Sequence, residues 1–253
     1  MQFKPALIQT TFLRRYKRFF ADVALPDGRV LVTHCPNTGS LRGCLREGAP
    51  AAIEPAANPA RKLRYTWKMV RLDGSWVGVD TSCANALVRE ALEAGLIPEL
   101  ADHDRIVPEV KYGLEGRSRI DLVLSSGGSW PSVRRGPRAL PVGDRRVYVE
   151  VKNTTLVYDR PQGRVAAFPD AVTERGRKHL ADLVATVEAG HRAAMVFSVQ
   201  RSDCIGFVPA DDIDPAYGRA LRAALAAGVE AYALGATIDP GRIELDRLLP
   251  IAL

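Results

Sequence analysis

The sequence predicts an α/β (α+β) protein of two domains, an N-terminal five-stranded β-barrel and a C-terminal mixed sheet flanked by helices. Three observations lead to this prediction. The 253 residues exceed the roughly 100–200 residues of one ordinary domain. Short strand-like runs separated by turn residues fill the first part of the chain, whereas strand and helix patterns mix in the second. We therefore expect a boundary near Asp80, with domains of residues 1–80 and 81–253.

The first domain begins with a predicted hairpin. Its strands, 18–25 and 29–35, are joined by the turn residues Pro26-Asp27-Gly28. Three further strand-like runs follow at 51–55, 63–72 and 76–80. Five short strands within one small domain are typical of an OB-like barrel.

The second domain begins with a helix that Thr81 or Ser82 is expected to cap and that Gly95 ends. Strands are then expected at 107–112, 119–124, 147–157 and 193–200, and helices at 172–189 and 215–227. The segment 125–146 is rich in Gly, Pro, Ser and Arg and has no apolar period, so we interpret it as an insertion between two strands.

The overall charge favours a polyanionic partner. Lys and Arg number 35 against 29 Asp and Glu, a formal net charge of +6. The 47% of apolar residues supports an ordinary buried core. No Walker A sequence, GxSxG elbow or strand-GxGxxG-helix is present, so nucleotide hydrolysis, α/β-hydrolase chemistry and dinucleotide redox lack support.

The four cysteines are scattered without a CxxC pair, which argues against structural zinc. We expect them to be free, buried thiols in a reducing compartment. No run approaches the ~20 apolar residues of a membrane-spanning helix, and cations interrupt the first residues. The expected location is therefore the cytoplasm, with no membrane partner.

Alternation along two predicted strands places three chemically active side chains together. Within 147–152, Glu150 and Lys152 lie on the face opposite the valines, and Asp121 likewise opposes its apolar neighbours. If the two strands are neighbours, the carboxylates meet and can hold Mg²⁺ or Mn²⁺, which polarises a phosphate, while Lys152 stabilises developing charge. The alternative is an ordinary Glu–Lys pair on a solvated face.

Several blocks of sequence stand in an order that identifies a family. They are 9–27 (QTTFLRRYKRFFADVALPD), 34–39 (HCPNTG), 109–113 (EVKYG), 118–121 (SRID), 149–152 (VEVK) and 168–180 (FPDAVTERGRKHL). In these blocks the chain resembles the sugar fermentation stimulation protein A family over essentially its whole length. The resemblance implies an OB-like domain, then a domain similar to PD-(D/E)xK nucleases, with DNA binding as the activity.

The resemblance also implies the roles of four residues. Asp121 matches the first metal-binding acid, Glu150 the second and Lys152 the lysine of the nuclease pattern, while Glu109 matches an auxiliary acid one strand earlier. The chain departs from shorter family members in the 125–146 insertion. Its arginines are candidate substrate contacts: Arg134, Arg135 and Arg138.

Candidate nucleic-acid contacts lie in three places. Cations interleave with an aromatic ring near the N-terminus, a composition suited to phosphates and stacked bases, and two later residues extend the patch. The polar face of the 172–189 helix is the third place. The residues are Arg14, Arg15, Tyr16, Lys17, Arg18, Arg61, Lys62, Arg175, Lys178 and His179.

Each of these features has a structural alternative. The N-terminal run can be a strand with buried rings and solvated charges, and the helix face can be an ordinary surface. The run Cys35-Pro36-Asn37-Thr38-Gly39 can cradle a phosphate with its amides or form a tight structural turn.

Two functions of different classes follow. The first is a Mg²⁺-dependent phosphodiesterase that cleaves DNA; the second is a non-catalytic, non-specific DNA-binding regulator of sugar (maltose) metabolism. No sequence-reading helix is recognised, so binding is expected to be largely non-specific. RNA stays open as a substrate, because no reader of the 2′-hydroxyl is recognised. The oligomeric state is not predicted.

Overall fold

The structure is a computed structural model that describes residues 1–112, 118–126 and 145–253, the side chain of Arg145 excepted. The candidate arginines Arg134, Arg135 and Arg138 therefore lie outside the described residues.

The N-terminal domain is a closed barrel. Its strands are β1 (Ile8–Tyr16), β2 (Phe20–Ala24), β3 (Val30–His34), β4 (Pro50–Pro55), β5 (Tyr65–Leu72) and β6 (Ser75–Gly78). The order β3-β2-β1-β4-β5 closes where His34 of β3 pairs with Thr66 of β5. The predicted five-stranded barrel is confirmed, but one of its five strands differs from the prediction. β1 was not among the predicted strands, whereas the predicted strand β6 pairs with β5 outside the closure.

Large aromatic side chains fill the barrel. Phe12 of β1 stacks on Trp67 of β5, with ring centroids 4.8 Å apart. Both rings are buried, and the Trp67 indole N–H donates to the Met69 carbonyl at 2.8 Å. This bond removes the cost of burying the indole nitrogen. The stack joins β1 to β5 across the barrel interior, in addition to the pairing of β1 with β2 and β4.

The C-terminal domain has nine strands and three helices among the described residues. The strands are β7 (Arg105–Tyr112), β8 (Ser118–Ser126), β9 (Arg145–Thr154), β10 (Leu156–Arg160), β11 (Gly163–Phe168), β12 (Arg192–Val199), β13 (Cys204–Pro209), β14 (Glu230–Asp239) and β15 (Arg242–Leu249). The helices are α1 (Ala84–Glu93), α2 (Glu174–Glu188) and α3 (Pro215–Ala226).

A six-stranded mixed sheet organises this domain in the order β15-β14-β12-β9-β8-β7. Strands β9, β12 and β14 are parallel, and the other neighbours are antiparallel. Helix α1 covers one face through Leu87 and Val88, and α2 and α3 cover the other through Leu180 and Leu221. Strands β10, β11 and β13 form a separate small sheet. The predicted mixed sheet with helices is confirmed.

Two local predictions are wrong. Neither Thr81 nor Ser82 caps α1; a 3-10 helix, Thr81–Cys83, precedes it, and the Asp80 carboxylate accepts the Ser82 N–H at 2.9 Å. Asp80 ends the preceding extended segment, so its short side chain reaches the first free N–H groups. The predicted strand 147–157 is two strands, because the chain leaves the large sheet after Thr154.

The face of β9 that carries Glu150 is buried, which argues against the alternative of an ordinary Glu–Lys pair on a solvated face. Tyr148 and Glu150 are only 3% and 2% exposed, because α2 lies over this face of the sheet. Strand alternation separates the two faces but does not reveal which faces are covered.

The first residues of the chain pack on the C-terminal domain. Phe3 and Leu7 belong to the same core cluster as α1. The Phe3 N–H donates to the Gly241 carbonyl at 2.8 Å, and the Leu7 N–H to the Pro240 carbonyl at 2.9 Å. These contacts join the start of the barrel to the turn between β14 and β15.

The four cysteines, Cys35, Cys44, Cys83 and Cys204, are free and buried as predicted. Over the described ranges, no helix combines the length and the apolar character needed to cross a membrane.

Candidate active site

A cavity of about 630 Å³ lies where the barrel meets the C-terminal domain. We call it the acidic cavity. Its lining includes Asp121 of β8, Glu150 and Lys152 of β9, and His179 of α2. The barrel contributes a loop to the same lining, namely Asn37-Thr38-Gly39. The cavity is thus built from both domains.

Asp121 lies beside Glu150 because β8 and β9 pair antiparallel, as the sequence interpretation required. It is one residue beyond the paired residues Leu122 and Val149. One carboxylate oxygen, Oδ2, accepts the Val151 N–H at 2.7 Å, and Oδ1 accepts the Asn85 side-chain amide at 2.9 Å. Burial, and then the neighbouring charge of Glu150, raise the pKa of Asp121 above its ordinary value.

Glu150 is held from two sides. Its Oε1 accepts the Lys152 ammonium at 2.6 Å and contacts Nδ1 of His179. Burial alone raises the pKa of Glu150, but the hydrogen bond from His179 and the charge of Lys152 outweigh burial and lower the pKa. The second oxygen, Oε2, is buried and has no hydrogen-bond partner in the part of the chain that the structure describes. Buried polar atoms are rarely left so, because the loss of water costs free energy.

These carboxylates fit a hard divalent cation. Carboxylate oxygens are the ligands that Mg²⁺ and Mn²⁺ prefer. The Oε2 atom of Glu150, which has no hydrogen-bond partner among the described residues, is available as a metal ligand beside Asp121. Within residues 1–112, 118–126 and 145–253, no group of three or more His, Cys, Asp or Glu side chains is placed to hold a metal. A cation between these two acids would therefore take its other ligands from water, main chain or substrate oxygens, as Mg²⁺ commonly does.

Glu109 reaches the same cavity from β7. It lies between the pairs Pro108–Leu122 and Val110–Ile120, across from Asp121. Its φ of 58° is left-handed, which is strained for a residue other than glycine and is often found at functional sites. The exposed carboxylate pairs with Arg119 at 3.3 Å while lining the cavity.

The polar face of α2 divides at neighbouring residues. Arg175 and His179 line the acidic cavity, and the Arg175 Nε donates to the His179 Nε2 at 3.3 Å. Lys178 instead donates to the Ser118 hydroxyl at 2.7 Å and to Asp182 at 3.0 Å. Only two of the three candidate residues on this helix thus lie at the cavity.

Arg15 positions the barrel loop that lines the cavity. Its guanidinium donates to the carbonyls of Asn37 at 2.8 Å, Gly39 at 3.0 Å and Ser40 at 3.5 Å. The Asn37 side chain accepts the Gly39 N–H at 2.8 Å, which makes a tight turn. This loop was interpreted as a turn or a phosphate cradle; the turn is present, and phosphate binding stays a prediction.

Sequence reasoning missed two residues that shape the site. Asn85, at the start of α1, orients Asp121. Asp170 accepts the Ser40 hydroxyl at 2.8 Å and the Leu41 N–H at 3.1 Å, tying the barrel loop to the segment before α2. Asp170 lies within the block 168–180 that carried the resemblance, which was the available signal.

The remaining candidate contacts lie on the barrel. Arg14, Lys17 and Arg18 are exposed, and the last two form the turn between β1 and β2 with φ of 48° and 61°. The Arg14 guanidinium lies over the Tyr16 ring, 5.2 Å from its centroid, and also pairs with Asp22 at 2.7 Å.

The last two barrel candidates, Arg61 and Lys62, line a second cavity. The Arg61 Nη1 donates to the Thr66 hydroxyl there at 3.0 Å. As for the other barrel candidates, nucleic-acid binding by these residues stays a prediction.

Comparisons with known proteins cover the whole chain. The family description "Sugar fermentation stimulation protein RE domain" matches residues 82–242, and "SfsA N-terminal OB domain" matches residues 13–79. The predicted boundary after Asp80 falls between the two matched segments.

Curated relatives of similar length match end to end. A sugar fermentation stimulation protein homolog from Thioalkalivibrio sulfidiphilus is 47% identical over 100% of this chain and 98% of its own. One from Pelobacter propionicus is 49% identical over 98% and 99%. A solved structure of Pyrococcus furiosus SfsA in complex with Ca²⁺ has 26% identity and a TM-score of 0.83, over 100% of this chain and 98% of that one.

Proposed function

This chain belongs to the sugar fermentation stimulation protein family, and we propose on that premise that it is a divalent-cation-dependent phosphodiesterase that binds and cleaves DNA. The observation that carries the proposal is the meeting of Asp121 and Glu150 on neighbouring strands beside Lys152, with Glu150 Oε2 buried and partnerless among the described residues. This arrangement is the one that the resemblance to PD-(D/E)xK nucleases leads us to expect.

Asp121 and Glu150 are the proposed holders of Mg²⁺ or Mn²⁺, which when bound supplies a Lewis acid that polarises the phosphate and activates water. The Pyrococcus furiosus relative supports a cation of this class, since its structure is described as a complex with Ca²⁺. Ca²⁺ also takes oxygen ligands.

The chain's own residues supply position and charge. Lys152 donates to Glu150, and a substrate phosphate in the acidic cavity offers its ammonium a second acceptor. Its charge can then stabilise the negative charge that develops during phosphodiester cleavage. His179 contacts both Glu150 and Lys152, so it fixes their relative orientation. Glu109 assists from the rim of the cavity.

Binding rests on phosphate contacts. The net charge of +6 and the exposed side chains of Arg14, Lys17, Arg18 and Arg175 favour a polyanion. Contacts of this kind carry no sequence information, so we propose DNA binding without sequence specificity. RNA offers the same phosphates and is a second substrate to test.

A non-catalytic DNA-binding regulator is the second candidate. The observation that favours it is the Lys152–Glu150 ion pair at 2.6 Å, in which the two side-chain charges offset each other without a metal ion. In that case the C-terminal domain would hold nucleic acid and the acids would be structural.

Incubation of plasmid and single-stranded DNA with Mg²⁺ or Mn²⁺ separates the two candidates. Wild type is compared with Asp121→Ala and Lys152→Ala, and with Lys111→Ala as a control at an exposed lysine of β7. Cleavage lost in the first two variants and kept in the control, with DNA binding retained throughout, supports the phosphodiesterase. Binding without cation-dependent cleavage of any DNA or RNA supports the regulator.

A further inference from the structure

A second cavity, of about 750 Å³, lies on the barrel next to the acidic cavity. We call it the barrel cavity. Phe20, His34, Arg61 and Lys62 are among the residues that line it. Ser82 lines both cavities, so they are adjacent.

Three rings lead across the barrel into this cavity. Tyr16 pairs with Phe20 across β1 and β2, and Phe20 pairs with His34 across β2 and β3. Directly paired residues of antiparallel strands lie on the same face of a sheet. The Tyr16 and Phe20 rings stack with centroids 5.4 Å apart and an angle of 15° between their planes. Tyr16, Phe20 and His34 therefore form a continuous line, which we call the aromatic row, and all three are partly exposed.

The charges around the aromatic row favour a polyanion. Arg14 lies over one end, and Arg61 and Lys62 line the cavity at the other. Two acids also face this cavity, and the buried ammonium of Lys68 lies against both and offsets one of their two charges. Its Nζ lies 2.5 Å from Asp80 and 3.3 Å from Glu54. Arg61, Lys62 and Lys68 together still outnumber the two acids in the lining.

The environment of the imidazole at the inner end of the row favours its uncharged form. Burial, and then the neighbouring Arg61, lower the pKa of His34, although the charge of Asp80 opposes them. The row thus offers neutral ring faces with cations beside them. This is the combination that single-stranded nucleic acids bind, with bases on the rings and phosphates on the cations.

We propose that the aromatic row binds successive unpaired bases and leads a single strand through the barrel cavity into the acidic cavity. Its substrate is then a single strand, or a duplex that carries a single-stranded extension. Bases inside a duplex stack on one another and cannot present their faces to the rings. This assignment rests on the proposed function for the cleavage step, but the binding step stands without it.

Binding is tested on the full chain without divalent cation, so that no cleavage interferes. The probe is fluorescent oligothymidine of about 12 nucleotides, within the roughly 4–16 nucleotides that one OB fold covers, and its RNA counterpart is the second arm. We expect Phe20→Ala and His34→Ala each to weaken single-strand binding by roughly tenfold, the lower part of the range for one stacked base. Phe20→Tyr, which keeps an aromatic ring, should bind single strands as wild type does. Binding of a blunt duplex should change less in the two alanine variants than single-strand binding does.

Val30→Ala is the matched control, because Val30 is an exposed apolar residue at the other end of β3. Thermal unfolding of each variant tests the fold. Wild-type binding by both Phe20→Ala and His34→Ala would overturn the proposal, as would equal weakening in Val30→Ala or in duplex binding. If RNA alone shows the loss, the row is an RNA-binding row, which the proposal allows.

Cleavage provides the second readout. With Mg²⁺ or Mn²⁺, wild type should cleave an extended duplex faster than a blunt one, and Phe20→Ala should remove this preference. Failure of the proposed phosphodiesterase function would give a different result: wild type would cleave no substrate, while its single-strand binding would still depend on Phe20. Equal cleavage of blunt and extended duplexes by wild type would overturn the inference and leave the phosphodiesterase standing.

Discussion

The acidic cavity and the aromatic row adjoin, yet their side chains are held in different ways. In the cavity, Glu150 is 2% exposed and is held by Lys152 and by His179 of another element. In the row, Tyr16 and Phe20 stack on each other and keep part of each ring exposed. Buried charges depend on every partner around them, whereas exposed side chains act nearly alone. Substitutions should therefore change stability and chemistry around the cavity, and mainly binding along the row.

The largest expected effect is at Asp80, a buried acid that lines the barrel cavity. Asp80→Ala removes the carboxylate 2.5 Å from the buried Lys68 ammonium, which keeps the Glu54 carboxylate at 3.3 Å and a weak hydrogen bond to the Cys83 sulfur at 3.2 Å. Leaving a buried charge poorly paired costs about 3–5 kcal/mol of unfolding free energy. Urea unfolding measures the loss. Glu93→Ala is the control, since Glu93 is 49% exposed in its ion pair with Arg89 and its removal should cost about 1 kcal/mol or less. Equal losses would contradict the distinction between buried and exposed regions.

His179 is the next test. His179→Gln breaks the contacts that orient Glu150 and Lys152 without removing either. Losing a side chain that orients metal-binding groups typically costs 10–100-fold in activity or metal affinity, so we expect cleavage to fall by roughly that factor. Lys178→Gln is the comparison, because the neighbouring Lys178 bonds to Ser118 and Asp182 away from the cavity. A loss as large in Lys178→Gln would show that the helix, and not the contact, matters.

Arg15 separates a positioning role from simple charge. Arg15→Lys keeps the charge but cannot reach the carbonyls of Asn37, Gly39 and Ser40 together. We expect a loss of about 1–2 kcal/mol in unfolding free energy, from net values of roughly 0.5–1.5 kcal/mol per hydrogen bond. Faster amide exchange in the loop should accompany it. Arg14→Lys is the control, because this guanidinium is 73% exposed, and it should change neither the unfolding free energy nor the amide exchange of the loop. Unchanged amide exchange in the Arg15→Lys variant would refute the positioning role of Arg15.

The smallest effect belongs to the exposed turn between β1 and β2. Arg18→Ala should leave stability and cleavage chemistry unchanged and weaken DNA binding uniformly across sequences. If Arg18 contacts one phosphate, the slope of log K against log salt should become shallower by about 0.9 on duplex DNA, or about 0.7 on single strands. Titrations at several salt concentrations measure it. An unchanged slope would remove Arg18 from the contact surface.

The fold was predictable where local chemistry is decisive. The Pro26-Asp27-Gly28 turn predicted the hairpin of β2 and β3, and Gly95, with φ of 71°, ends α1 as expected. Strand β1 was not predicted; it pairs with β2 and with the distant β4, and its Phe12 stacks on the distant Trp67, contacts that local sequence patterns do not show. Strands β11, β13, β14 and β15 were also missed. Of these, β15 had a usable signal, because polar and apolar residues alternate over 242–246 of the sequence.

The site was predictable in part for the same reason. Alternation alone places Asp121 and Glu150 where two strands meet, once the strands are taken as neighbours. It does not show that α2 covers Glu150, nor that Asn85 from α1 orients Asp121. Such contacts join elements far apart in sequence. The loop that Arg15 holds is of this kind, since the same residue had suggested only a phosphate contact.

The contact between the first residues and the β14–β15 turn bears on the order in which the chain assembles. Phe3 and Leu7 are synthesised before the barrel strands, but the carbonyls of Gly241 and Pro240 that they bind are synthesised only after α3 and β14. Domains commonly fold as they emerge, N-terminal first. Here the barrel can close early while its leading segment stays undocked until the turn between β14 and β15 has been synthesised. A chain cut between the domains would, for the same reason, leave a gap in the C-terminal core where Phe3 and Leu7 pack.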